Sequence, residues 1–390
     1  MVNAKQKSPM KKIILASCLF IVSYTVTGQH LFNQSTIFIG PTSVLYVSGD
    51  IVNNNMIINN GDMQVGGTWT NNGTYDAGTG KITFNSDLPQ TINHNAQSFS
   101  RLTISGGGVK NFPADITIED ELNLTEGTLV SQNGAIIVFS PTAQIIGGSD
   151  QAHINGPVYH QGSGTKIFPI GNGTDYLPVE ITGIASASEV GITLVEFSSQ
   201  QSFSFKPELS AVSGKRYWEV DVVSGSLAGT QIALPLNGDE GLSSSRPESD
   251  YVVVQSLDSP IEFTSLGQSG FTGSLTSGSI TSNDAVNANL VTIGLISEGI
   301  VVYNAVSADG NDLNASMKIS NIGAFPNNKV SIFNRWGDKV FEINGYNDQN
   351  AFVGNSNIGG NKELPAGTYF YVIDKGDGSP VVNGFVSLKR

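Results

Sequence analysis

The residues best suited to chemistry in this 390-residue chain are four histidines and a few acidic clusters. His153 and His160 lie seven positions apart in a segment interrupted by Pro and Gly. That spacing matches no helical metal-binding pair, so we expect surface or turn histidines. Cys18 is the only cysteine, which excludes disulfides and thiolate metal sites. No Gly-x-Ser-x-Gly elbow of a serine hydrolase is present.

The densest acidic cluster is Glu119-Asp120-Glu121, which we expect to form a turn between two short strands. A carboxylate pair that hydrolyses glycosides needs a set separation in space, which three consecutive residues do not establish. Residues 29–300 also hold only eight basic residues with which to neutralise a uronate substrate. The sequence therefore favours a protein without enzymatic activity and assigns no catalytic residue; a polysaccharide lyase or glycoside hydrolase is the alternative.

A calcium site is a weaker candidate among the oxygen-rich residues Asp309, Asn311 and Asp312. Calcium takes carboxylate and amide oxygens from turn-rich segments, but the full EF-hand spacing is missing. An Asx turn that leads into a strand explains the same residues. Calcium is the one cofactor that the sequence leaves open.

The formal net charge is −13, and it is unevenly distributed. Removal of the four lysines before residue 29 takes it to −17, while residues 301–390 carry eight bases and eight acids. The acidic excess therefore lies in residues 29–300. Such a surface repels phosphate backbones and anionic lipids, which argues against nucleic acid as a partner.

The elements that must position these residues are β-strands. Forty-five glycines and the absence of sustained helical periodicity after residue 28 predict an all-β chain. Over residues 29–165, short apolar strands alternate with Asn/Gly turns about every ten residues, which predicts a parallel β-helix-like solenoid. Asparagines at 53–55, 59–60 and 71–72 fit left-handed turns and coil-to-coil ladders. An up-and-down antiparallel sandwich is the alternative.

Longer alternating strands in residues 166–300 predict a β-sandwich, with residues 264–283 as a long loop or hairpin. Among the aromatic residues of the body, Trp218 is flanked by alternating apolar residues and is expected in the core. Trp69, between Gly66-Gly67 and Asn71-Asn72, is the better candidate for a surface platform that stacks on sugar rings.

Residues 1–28 read as a signal peptide, with four lysines before the apolar run 13–22 and small residues before a cleavage site at Gly28. A lipobox ending at Cys18 is the competing interpretation, but the apolar run continues past that cysteine. Export to an oxidising compartment is consistent with the cysteine count, because Cys18 is the only cysteine and the mature chain has neither a disulfide nor a free thiol.

The most specific motifs lie in residues 301–390: "IFNRWG" from Ile332, "LPAGTYFY" from Leu364, and "GFVSLKR" from Gly384. In this order they resemble the gliding-motility-associated C-terminal domain, a type B sorting signal of the type IX secretion system of Bacteroidetes. Matching motif residues are Asn334, Arg335, Trp336, Gly337, Lys339, Tyr346, Gly354, Leu364, Pro365, Gly367, Thr368, Tyr369, Tyr371, Gly384, Lys389 and Arg390.

The resemblance implies an immunoglobulin-like β-sandwich that is recognised by the type IX translocon and held by a PorP-type outer-membrane barrel. The residues themselves predict a hairpin turn at 334–337, with Gly337 at positive φ. Arg335 and Trp336 either stack together within the sandwich or contact the export machinery, and Lys389 with Arg390 forms a cationic tip or a solvated end.

The combined expectation is a secreted or outer-membrane surface protein. Its body would act as an adhesin or a component of a surface assembly, with a possible link to gliding motility. Surface glycans or other surface proteins are the expected partners, and a carbohydrate-binding or polysaccharide-active body is the alternative.

Overall fold

The computed structural model describes residues 29–185, 188–199, 201–257, 259–308 and 314–390. These residues form 39 strands and two short 3₁₀ turns, η1 (Glu248–Asp250) and η2 (Ile322–Ala324), so the all-β prediction is confirmed. Within the described ranges, no helix has the length and apolarity to cross a membrane. The predicted signal peptide, residues 1–28, lies outside them.

The first eighteen strands wind into a solenoid of about six coils over residues 31–160. Their bounds are β1 (Leu31–Asn33), β2 (Thr36–Ile39), β3 (Val44–Val47), β4 (Ile51–Asn53), β5 (Met56–Asn59), β6 (Asp62–Val65), β7 (Trp69–Asn71), β8 (Thr74–Asp76), β9 (Lys81–Phe84), β10 (Gln90–Asn93), β11 (Ser98–Ile104), β12 (Lys110–Phe112), β13 (Ile116–Leu124), β14 (Leu129–Ser131), β15 (Ile137–Phe139), β16 (Gln144–Gly147), β17 (Ile154–Asn155) and β18 (Val158–Gln161).

Parallel pairing between coils rules out the antiparallel alternative for this region. One sheet has the order β1-β4-β7-β10-β12-β14-β17, a second is β2-β5-β8, and a third begins β3-β6-β9-β11-β13-β15-β18. Strand residues alternate between the core and the outer face, as period-2 geometry requires. Glu119 and Asp120 lie inside the nine-residue strand β13, at a register shift, and are not the predicted turn.

Asparagine ladders join the first coils, as predicted. The buried Asn33 Nδ2 donates to Asn53 Oδ1, and Asn53 Nδ2 donates to Asn71 Oδ1, both at 2.7 Å. A parallel exposed step joins Asn72 to Asn54 at 2.8 Å. None of these asparagines has a positive φ, so that part of the prediction is wrong. Asn33, Asn53 and Asn71 are strand residues, and inward alternation aligns their amides from coil to coil.

The middle region continues the solenoid without a break. Its strands are β19 (Gly164–Phe168), β20 (Val179–Ile184), β21 (Glu189–Glu196), β22 (Ser204–Phe205), β23 (Leu209–Val212), β24 (Arg216–Ser224), β25 (Gln231–Leu236), β26 (Tyr251–Ser256), β27 (Glu262–Gly267), β28 (Gly270–Ser274), β29 (Ser277–Thr281) and β30 (Leu290–Ile296). Strand β18 pairs in parallel with β15 on one side and antiparallel with β21 on the other.

From β21 the third solenoid sheet continues as β21-β24-β30-β26-β27-β22, and the antiparallel sheet β19-β20-β25-β29-β28 packs against it. One hydrophobic core runs from Ile39 in the first coil to Leu295 in the sandwich. Trp218 is buried in it, as predicted, and residues 270–281 form the predicted hairpin.

The C-terminal region has its own core and nine strands. These are β31 (Val301–Val302), β32 (Ala305–Ser307), β33 (Ile319–Ser320), β34 (Lys329–Phe333), β35 (Lys339–Asn344), β36 (Asn355–Ser356), β37 (Lys362–Glu363), β38 (Gly367–Asp374) and β39 (Val382–Lys389). The main sheet has the order β32-β39-β38-β34-β35, and the short pairs β31-β33 and β36-β37 accompany it.

Candidate functional site

A tight turn projects from the C-terminal sheet between β34 and β35. Asn334 organises it, because its backbone N–H donates to the carbonyl of Asp338 at 2.9 Å. Its side-chain Oδ1 accepts from the backbone N–H groups of Trp336 and Asp338, each at 2.9 Å. Gly337 has a φ of 87°, which a glycine adopts without a Cβ clash. The predicted hairpin turn is therefore confirmed.

The turn presents an exposed tryptophan. Trp336 is 73% exposed, and the Arg335 guanidinium carbon lies 4.5 Å from the centroid of its ring. The predicted stacking of guanidinium on ring is present, but the pair does not pack into the core. A solvent-facing cation–π pair contributes little to stability, about 0.5–1 kcal/mol. The two side chains are instead available to a binding partner.

Lys339, directly after the turn, is part of a charged network on the outer face of the sheet. The Glu342 carboxylate accepts from the ammonium groups of Lys339 and of Lys329, the latter at 3.2 Å, and from the Ser331 hydroxyl at 3.0 Å. The hydrogen bond from Lys339, followed by that from Ser331, lowers the pKa of Glu342 to about 2. The network holds two lysine side chains on the outer face of the sheet, and Lys339 is the one next to the turn.

A row of three phenylalanines crosses the same outer face. Phe333 on β34 pairs with Phe370 on β38, and Phe370 pairs with Phe385 on β39. Phe370 is 48% and Phe385 is 51% exposed. Sequence reasoning missed this row, although each residue alternates with a buried neighbour in its strand. We call these three phenylalanines together with Trp336, which lies in the turn directly after β34, the aromatic face, although the phenylalanines alone share the outer side of the sheet.

The tyrosine motif residues lie on the opposite, inner side. Tyr346 is buried, donates its hydroxyl to the carbonyl of Met317 at 2.5 Å, and accepts from the N–H of Phe352 at 3.0 Å; burial raises its pKa to about 12. The buried Tyr369 donates to the carbonyl of Pro365 at 2.8 Å. The buried Tyr371 ring covers Gly384, where an added Cβ would lie 2.3 Å from the tyrosine oxygen. These motif residues build the domain.

Arg390 is a clamp and not the cationic tip that one alternative predicted. Its guanidinium donates to the carbonyls of Leu364 at 2.6 Å and Gly354 at 2.9 Å and pairs with Glu363 at 3.1 Å. These bonds tie the segment before β38 to the end of β39. Lys389, which precedes it, has an exposed side chain.

The remaining motif residues belong to the same end of the sheet. Gly367 and Thr368 open β38 and pair with Leu388 and Ser387 of β39. The structure thus places the three sequence motifs on the adjacent strands β34, β38 and β39, where they meet close to the exposed turn, whereas Tyr346 lies at the opposite end of the sheet. Residues 300–388 match the family model of the CHU_C type IX secretion signal domain. This part of the chain is a type IX secretion signal domain.

The CHU_C match confirms the resemblance that the motifs indicated, and it implies secretion across the outer membrane through the type IX machinery. The match covers the C-terminal region alone. No curated protein and no solved structure shows significant similarity to the chain. The role of the exported body therefore has to be argued from its own residues.

Trp69 is not a sugar-stacking platform. It is completely buried, and its Nε1 donates to Nδ1 of His94 at 3.0 Å. The prediction was wrong because the neighbouring Gly and Asn residues suggested a loop, whereas Trp69 and Asn71 both point inward from β7. The ring packs edge-on against Tyr75 at a centroid distance of 5.6 Å.

His153 and His160 are also buried, contrary to the predicted surface or turn positions. His153 accepts from the N–H of Gly173 at 3.1 Å, and His160 bonds to the carbonyl of Ile167 at 2.7 Å. Across the described ranges, no group of three or more His, Cys, Asp or Glu side chains could hold a metal ion. The calcium candidates Asp309, Asn311 and Asp312 lie outside those ranges.

Proposed function

We propose that the chain is a non-enzymatic surface protein that the CHU_C domain delivers through the type IX system. The solenoid and sandwich form the displayed body, which acts by contact with surface glycans or other surface proteins, as an adhesin or as part of a surface assembly. Gliding motility is one process that such a body would serve. The observation that carries the proposal is the CHU_C match together with the exposed turn that its motif builds.

The chemistry of the body supports a structural role. The buried Lys110 is engaged in holding coils together, since its ammonium donates to the carbonyls of Ser86, Gly106 and Gly108 at 2.7–2.8 Å. Burial lowers the pKa of the interior histidines, to about 4 for His94 and about 3 for His160, well below the range of a general base.

The aromatic face is the surface that we assign to the export machinery. Exposed aromatic residues beside cations are typical of interface anchors, because a rigid ring buries much apolar area at a low cost in side-chain entropy. Arg335, Lys339 and Lys389 lie at the end of the sheet that carries Trp336. We expect the translocon, or a PorP-type barrel that retains the domain, to cover this face.

The direct test is deletion of residues 300–390, which should leave the protein in the periplasm. Fusion of these residues to a reporter with a signal peptide should carry the reporter across the outer membrane. Fractionation of intact cells, with surface proteolysis, measures both. Normal amounts of the truncated protein at the surface would refute the sorting role.

A point substitution separates recognition from folding. Trp336→Ala should reduce surface delivery severalfold while the domain stays folded, because the side chain has no core contacts to lose. Val381→Ala is the matched control, since Val381 is also exposed, at 49%, but lies just before β39, at the end of the sheet opposite the turn. Equal delivery of both variants would exclude Trp336 as a contact. Polysaccharide turnover by the purified body would show that it is an enzyme.

A further inference from the structure

Among the described residues, the coil formed by β1, β2 and β3 is the outermost coil of the solenoid. β1, β2 and β3 are each the terminal strand of their sheet. In the part of the chain that the structure describes, no strand pairs with their outer edges. All three sides of the solenoid therefore end in an unpaired edge, and an open β-edge is a template for pairing with another strand.

The direction of the backbone groups shows which residues face outward along the axis. Leu31 donates its N–H to the second coil, and the carbonyls of Asn33, Ile39 and Val47 accept from it. Because alternate residues of a parallel strand bond to opposite neighbours, the intervening residues direct their N–H and C=O groups to the open end. These residues are Phe32, Phe38 and Tyr46.

The same three side chains are large, apolar and exposed, at 60%, 64% and 59%. Residues 29–49 contain no Asp, Glu, Lys or Arg, although the rest of the solenoid and sandwich carries the acidic excess. Edge strands are normally protected by charges, and stacked repeats need a polar capping coil for solubility. The first coil has neither form of protection.

We propose that this end of the solenoid is a self-association surface, on which the first coil of a second copy stacks. The shape favours this occupant, because another coil of the same cross-section can pair with all three edges at once. Charge favours it too, since two acidic copies can meet here without bringing like charges together. A two-fold axis perpendicular to the solenoid makes the new strand pairs antiparallel and the contact closed.

Stacking would also complete the core of the first coil. Its inward residues Leu31, Ile37 and Leu45 pack against the core but are only partly buried. A second coil would cover them and satisfy the free backbone groups of three strands. The proposal is independent of export, because it uses no residue of the CHU_C domain.

The test compares two double variants of the full chain, expressed with its own N-terminus and purified after export. Phe32→Lys with Tyr46→Lys places charges on the open edge. Thr70→Lys with Thr83→Lys is the matched control, because these positions lie in the same columns, two coils inward. Sedimentation over a range of micromolar concentrations measures the dimer dissociation constant.

The wild type and the threonine control should form dimers with the same constant. The edge variant should dissociate about tenfold more readily, or more. Hydrogen exchange should show the amides of Phe32 and Tyr46 becoming protected as the wild-type concentration rises. A wild-type monomer at every concentration, or an edge variant that dimerises as the wild type does, would overturn the proposal. Protection without dimerisation would mean that another segment covers the end, and would overturn it as well.

Discussion

Acid should destabilise the solenoid body through two histidines that are buried in neutral form. His94 accepts from Trp69 Nε1 through Nδ1, so its Nε2–H faces the carbonyl of Ser98 at 3.2 Å. The ring stacks on Phe99 at a centroid distance of 3.7 Å. His160 donates through Nε2 to Ile167 and stacks on Phe139 at 4.6 Å. Both rings are expected to stay neutral in the folded protein, because desolvation in the core disfavours the protonated form.

The size of the effect follows from the difference in protons bound. Burial lowers the pKa from 6.5 to about 4 for His94 and about 3 for His160. Above pH 6.5 the two histidines are neutral in both states and do not lower the free energy of unfolding. As the pH falls below 6.5, the free energy of unfolding decreases, because the unfolded chain binds protons that the folded chain does not. At about pH 5 each histidine contributes a slope of roughly 1.4 kcal/mol per pH unit to the free energy of unfolding.

The assay is denaturant unfolding between pH 7 and about pH 4, followed by the fluorescence of the buried Trp69 and Trp218. His160→Phe keeps an aromatic ring in the stack and removes one titration. Its pH slope should be smaller than that of the wild type by the contribution of one proton. Phe139→Leu is the control, since loss of the stacking ring lowers stability at every pH but leaves the slope unchanged.

An unchanged slope in His160→Phe would refute this reasoning. It would mean that His160 takes up its proton in the folded state, so that the ring is accessible to water or has a charged partner. A reduced slope in Phe139→Leu as well would show that the stack, and not the titration, sets the dependence on pH.

Three further substitutions test how the structure is held together. Asn53→Ala should lower the free energy of unfolding, measured with denaturant, by about 2–4 kcal/mol, because it breaks both buried steps of the amide ladder. The control Asn54→Ala, at an exposed position, should lower it by less than about 1 kcal/mol. Lys110→Met should lower the free energy of unfolding by about 2–4 kcal/mol, since three carbonyls lose their ammonium donor. A decrease of less than about 1 kcal/mol would contradict that account. Arg390→Gln should lower the stability of the C-terminal domain by about 1–2 kcal/mol in a calorimetric scan, and Lys389→Gln should not.

Local chemistry made parts of this protein predictable from sequence. The turn at Asn334 to Gly337 needs only an Asx side chain and a glycine, and both can be identified from the amino-acid sequence. The coil-to-coil amide ladders follow from asparagines that recur at the coil period. The order of the C-terminal motifs was enough to indicate the type IX signal, because the resemblance is carried by residue types and their order along the sequence.

Burial was harder to predict, because it depends on which strand residues turn inward. Trp69 and His160 stand among Gly, Asn and Pro, a composition typical of loops, yet both lie in the core. In strands of three or four residues the alternation is too short to identify the inner face. Only the stacking of neighbouring coils decided it.

The sequence alone determined the strand-rich class, the acidic body and the sorting motifs, since each is carried by residue type and order. The tertiary structure decided which motif residues build the domain and which remain accessible. Arg390 holds the domain together while Trp336 faces the solvent, although both belong to the same set of motifs. It also revealed the unpaired edges of the first coil within the described residues, because a free edge exists only where the pairing of strands ends.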